Sequence, residues 1–157
     1  MQAARSIPRA AQYTDALTTD ILLLAALIAG EARGEPYDGQ VAVACVARNR
    51  VNNPGWWGRT WREVILKPKQ FSPFNVSDSA NGWEGRDALV DLLGLVEPQH
   101  TYIAAGVYHR RISDNTNGAT HFANLSLAQP GWADDLVMCA RFGRHTFYKA
   151  EPPGEAI

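Results

Sequence analysis

The stretch ILLLAALIAGEARGEPYDGQVAVACVARNRV, residues 21–51, decides the fold. Ile21 to Ala29 are apolar on every helical face, so the helix they form is buried on most sides. Gly34 and Pro36 end it. The helix is expected over about 15–32, with Thr18 or Thr19 as its N-cap. Asp38 suits the N-cap of a second helix, which runs until Asn52-Asn53-Pro54-Gly55 stops it. The apolar run falls short of the roughly 20 residues that cross a bilayer. Asp15 and Asp20 precede it where a secretory leader needs a basic region, so it reads as a core helix.

Outward from this pair, Thr60-Trp61-Arg62-Glu63 has the T-x-x-E spacing of a capping box and opens a short third helix. A fourth helix is expected over about 85–96. Pro98, at a favoured first helical position, opens a fifth that reaches about His109. Later the period changes. Leu136 to Phe142 and His145 to Lys149 alternate in the manner of strands, and Gly143-Arg144 between them signals a two-residue hairpin. The fold class is therefore α+β, mainly helical, a single domain with a small C-terminal antiparallel hairpin or sheet. Residues 1–14 are expected to form a loose arm, 15–150 the domain and 151–157 a tail.

The chain has 157 residues, 46% of them apolar and 20% charged, which suits one compact core. A net charge of −1 gives no electrostatic basis for binding nucleic acid or an anionic membrane. No Gly-rich phosphate loop and no G-x-S-x-G elbow appears, and no cofactor is expected. His109, His121 and His145 fit no compact zinc spacing, so no metal is expected either. Cys45 and Cys139 are expected to be two buried thiols.

Glu31 is the most suggestive residue for chemistry. It closes an apolar helix, and both burial and the negative end of the helix dipole disfavour a charged carboxylate there. A carboxylic acid held protonated is what a glycosidase needs to protonate a leaving sugar oxygen. Glu35 is its rival, but Gly34 and Pro36 assign it to a loop with ordinary acidity. The aromatic stock includes Trp56-Trp57 on a Pro-Gly loop and Trp132 after Pro130-Gly131, positions that helix packing does not explain.

The segment Gly30-Glu31-Ala32-Arg33-Gly34-Glu35, with Gly39-Gln40-Val41-Ala42-Val43-Ala44 and Asn49-Arg50-Val51, resembles the opening of the SleB-type cell wall hydrolases. Three later stretches match in order: Gln70-Phe71-Ser72, Gly118-Ala119-Thr120-His121-Phe122, and Pro130-Gly131-Trp132 with Gly143-Arg144-His145-Thr146-Phe147-Tyr148. The resemblance spans roughly residues 20–149. It implies a lysozyme-like domain that cuts between N-acetylmuramic acid and N-acetylglucosamine, with Glu31 as the catalytic acid. It further implies a cleft lined by Gln70, Phe71, Ser72, Thr120, His121, Phe122, Trp132 and Tyr148.

A lytic transglycosylase needs one carboxyl; a hydrolytic muramidase needs a second. Asp38, Asp78, Glu84 and Asp114 all lie on polar or turn segments, which favours the transglycosylase. Two other classes stand beside it: a non-catalytic wall-binding or virion module, and a metal-dependent amidase or peptidase. The expected partner is the peptidoglycan glycan strand, met as a monomer without membrane insertion. The absence of a leader points to a phage or prophage endolysin, released through a holin-type lesion or carried on a particle.

Overall fold

The computed structural model describes residues 9–67, 85–127 and 129–150, with side chains described for 17–67, 89–127 and 129–150. The first helix, α1 (Arg9–Ala32), begins earlier than its sequence suggests. Residues 9–14 are helical, and Thr18 and Thr19 lie inside the helix and do not cap it. The reason is local: between Pro8 and Gly30 there is neither glycine nor proline, and Ala10, Ala11 and Gln12 are strong helix formers. Leu23 to Ala29 are all buried, so this part of the helix is the axis of the core. Each fully buried leucine or isoleucine contributes about 1.5–3 kcal/mol.

The second helix, α2 (Tyr37–Asn52), starts one residue before the expected cap. Pro36 occupies the cap position with φ −58° and ψ 161° and makes no side-chain cap bond. Asp38 lies in the first turn instead, where a negative charge favours the helix dipole. The third, α3 (Trp61–Leu66), opens with the expected box: the Glu63 amide donates to Thr60 Oγ1, and the Thr60 amide donates to Glu63 Oε2. Then come α4 (Gly85–Leu93) and α5 (Pro98–Tyr108), the latter with Pro98 in its first turn. Helix α1 packs against the other four. Tyr108 on α5 donates to Asp20 Oδ2 on α1.

Strands β1 (His121–Ala123), β2 (Val137–Phe142) and β3 (His145–Lys149) form one antiparallel sheet in the order β1-β3-β2. The β2–β3 hairpin turns at Gly143, whose φ of +55° matches a turn with glycine in its first central position. A short 3₁₀ turn, Gly131–Asp135, precedes β2. Opposed residues in an antiparallel pair share a face. The register His121↔Tyr148 and Phe122↔Phe147 therefore separates two sets. Phe122, His145 and Phe147 touch one another on the core side. His121 and Tyr148 lie on the other face.

Both cysteines are free: Cys45 is buried and Cys139 is half-buried beside β3. Burial lifts the Cys45 thiol to about 11. Among the described residues no helix is long and apolar enough to cross a membrane.

Candidate active site

Two groups of side chains mark the two ends of α2, which the helical rise sets about 20 Å apart. Glu31 belongs to the first end. It sits on the last turn of α1, half-buried, between the buried Ala29 and Ala32.

One turn on, Glu35 is not the loop residue of ordinary acidity that its neighbours suggest. Its side chain is only 4% exposed. Oε1 accepts from Arg144 Nε at 2.9 Å, and Oε2 accepts from the Arg144 amide at 3.2 Å. Burial pushes this carboxyl up, but the Arg144 hydrogen bonds and the charges of His145 and Arg144 outweigh it. The group ends below the usual carboxylate range. Glu35 thus fastens the hairpin turn to the start of α2. A Cβ on Gly143 would collide with Glu35 Oε2. His145, next to this clasp, is buried, and its Nδ1 has no hydrogen-bond partner among the described residues.

The second end carries a row of rings. Trp56 and Trp57 lie 5.4 Å apart, Trp57 and His121 6.2 Å, His121 and Trp132 5.1 Å, and Trp132 and Tyr148 5.5 Å. Arg50 on the last turn of α2 positions the row. Its guanidinium lies 5.4 Å from the centre of the Trp57 ring, and its Nε donates to the Thr120 carbonyl at 2.7 Å. Burial pulls Arg50 down to about 10, so it remains a cation at neutral pH. Trp57 Nε1 in turn donates to the Arg50 and Asn53 carbonyls. Thr120 Oγ1 is 3.0 Å from His121 Nδ1.

Of the residues assigned to a cleft by resemblance, His121 and Trp132 are half-buried members of this row, with Thr120 beside them. Tyr148 is 6% exposed and meets Trp132 edge-on, so it supports the row from beneath. Phe122 packs on Phe147 and His145. Gln70, Phe71 and Ser72 lie outside the described residues, as do Asp78 and Glu84. Sequence reasoning left Arg50 out of the site. Two arginines, Arg48 and Arg50, buried in a helix whose other buried residues are mostly small and apolar are the signal that points to it. Trp57 stands out in the sequence only as a residue that helix packing does not explain.

Burial, and then the charge of Arg50, pull the His121 imidazole down to about 4. An unfolded histidine titrates near about 6.5, so the unfolded chain binds a proton before the folded one does. The stability that rests on neutral His121 is present in full above that value and is lost as pH falls towards 4. His121→Phe should flatten the decline in melting temperature across this window. An unchanged slope would show that the imidazole does not stay neutral.

Asp114 is equally committed. Its two oxygens accept from the Thr116 amide and hydroxyl, the Gly118 amide and Asn49 Nδ2. Burial pushes it up, but these donors prevail and leave it below the usual range. The histidines do not converge on a metal. The register sets His121 opposite Tyr148, three residues along β3 from His145, or about 10 Å. No cluster of three metal-ligating side chains occurs among the described residues.

The sequence model of the Cell Wall Hydrolase family matches residues 34–148. The chain belongs to this family. The spore cortex-lytic enzyme of Halalkalibacterium halodurans is 33% identical to it over 94% of this chain, and that of Bacillus subtilis is 37% identical over 82%. The chain spans well under half the length of these relatives, 38% and 37% respectively. Among solved structures, the catalytic domain of Bacillus cereus SleB matches with a TM-score of 0.64 and 29% identity, covering 84% of this chain and 91% of that one. The catalytic domain of the germination-specific lytic transglycosylase SleB from Bacillus anthracis matches with a TM-score of 0.66 and 25% identity, covering 94% and 100%. The mainly helical, lysozyme-like α+β architecture of this cell wall hydrolase is thus that of a catalytic domain. Glu35 falls inside the family match and Glu31 three residues before it.

Proposed function

We propose that this domain is a peptidoglycan glycosidase that cuts between N-acetylmuramic acid and N-acetylglucosamine, acting as a lytic transglycosylase with Glu31 as its acid. The observation that carries the reading is the likeness to a SleB domain that is itself a lytic transglycosylase and is matched over its whole length. The position of Glu31 supports its role: half-buried, on the last turn of a helix whose core is fully apolar. Two of the rival carboxylates have other duties. Glu35 is held ionised in the hairpin clasp, and Asp114 is saturated by four donors.

A mechanism with one carboxyl follows. Glu31 gives its proton to the glycosidic oxygen as the bond to C1 breaks. The resulting carboxylate takes the proton of the substrate's own C6 hydroxyl as that oxygen closes on C1. Glu31 regains its proton, and no water is consumed. The product is a 1,6-anhydro sugar, so muropeptides from purified walls should each be one water lighter than those of a lysozyme digest. Mass spectrometry reads the difference. Hydrated reducing ends would assign a hydrolytic muramidase instead, with a second carboxylate.

Two settings are put to the test: that of a phage or prophage endolysin, and that of the spore cortex, from which the relatives described above take their name. Parallel digests of vegetative walls and spore cortex separate these settings. Faster release from vegetative walls favours the endolysin, and faster release from cortex favours the spore role.

A further inference from the structure

The row of rings does not end at Trp56. A cavity of about 580 Å³ opens beside it, lined in part by Trp56, Trp57, Arg59, Arg62, Leu66 and Lys67. That volume is within the range of small-molecule sites. Trp57 belongs to both the row and the cavity, so a strand lying along the row runs to the cavity mouth. Trp56 is 59% exposed, an indole with no core role.

The charges here are one-sided, in contrast to the near-neutral chain as a whole. Arg59, Arg62 and Lys67 form no ion pair among the described residues. The single carboxylate among the described lining residues, Glu63, is turned to the backbone, where Oε2 accepts from the Arg59 and Thr60 amides. Three cations beside two indoles suit a ligand that is a neutral ring polymer with anionic branches. Peptidoglycan has that chemistry: its sugars carry no charge, and its stem peptides carry free carboxylates.

We propose that this cavity binds the carboxylates of a stem peptide, so that the enzyme prefers strands bearing peptides over bare glycan. The inference rests on the glycosidase reading above. Its test uses two substrates prepared from one batch of walls with accessory polymers removed: intact peptidoglycan, and the same glycan stripped of its stems by an amidase and then amidated at the lactyl carboxylates that this hydrolysis exposes, so that the strand is uncharged. The unaltered protein should show a KM about tenfold lower on the intact material, a preference that fades in high salt. The double variant Arg59→Glu, Arg62→Glu should raise KM on intact walls to the value for stripped glycan. It should leave kcat, and KM on the stripped strands, unchanged.

The fold should tolerate this variant, since acidic residues at the start of α3 favour its dipole. The Arg59→Lys, Arg62→Lys variant keeps the charge and should keep the preference. Equal KM on both substrates for the unaltered protein would overturn the inference, as would a variant that loses both substrates alike or changes neither. If the unaltered protein cuts neither substrate, the glycosidase reading fails. Co-sedimentation with the two glycans then still decides the cavity's role: stronger retention on intact walls supports it, and equal retention overturns it.

Discussion

Glu31→Gln should lose about 10²–10⁴-fold in the rate of wall cleavage, the range that a positioned general acid contributes. The amide has the shape of the carboxyl but no proton to give to the glycosidic oxygen. The side chain is half-buried at a helix end, and an isosteric change there leaves the α1–α2 packing in place. The variant should therefore melt close to the unaltered protein and still sediment with walls. The contrast that isolates the chemistry is Glu35→Gln. That change weakens the Arg144 clasp and lowers stability, but it removes no proton donor from the reaction. Turbidity clearing of purified walls, measured alongside thermal melts, separates the two effects. Lysis by Glu31→Gln at near-normal rate would eliminate Glu31 as the acid.

Gly143→Ala should cost about 2–5 kcal/mol of stability. A left-handed backbone costs a residue with a side chain about 1–2 kcal/mol, and forcing a methyl into filled space costs a further 1–3 kcal/mol. The site imposes both, because φ is +55° and the new Cβ would meet Glu35 Oε2 and the Pro36 ring. For a domain of this size the loss corresponds to about 4–20 °C in melting temperature.

The pH dependence identifies the cause. Glu35 is held below the ordinary carboxylate range, so its contribution is complete above the unfolded value and is lost as pH falls through the folded one. The alanine variant has already surrendered part of that contribution. Its melting curve should therefore lie below that of the unaltered protein at neutral pH, and the gap should narrow on acidification towards the backbone cost that does not titrate. Equal melting temperatures at pH 7 would show that the clasp carries no stability.

These two sites differ in how far the sequence reveals them. Glu31 stands out because its context is local: nine apolar residues on one helix lead directly to it. Glu35 reads as an ordinary loop residue, since its partner Arg144 lies over a hundred positions away. The same division runs through the fold. The Thr60–Glu63 box, the Pro98 start and the Gly143 turn all depend on neighbours within four residues, and each stands where its spacing implies. Strand β1 is different. Three residues hold too little alternation to be recognised, and His121 to Ala123 become a strand only because β3 offers them an edge. The start of α1 departs from its sequence signal for a local reason: threonines that suit a cap are also tolerated inside a helix when strong helix formers precede them.

By itself, then, the sequence determined the helical frame, the hairpin and the buried helix that ends in Glu31. These follow from periodicity and capping, which act over one or two turns of chain. Only the tertiary structure decided that Glu35 is a fastener, that Arg50 aligns Trp57 with Thr120, and that His121 lies between two indoles. Each of these depends on groups far apart in the chain. Only the closed core fixes the distances between them, and with those distances the desolvation and charge that set their chemistry.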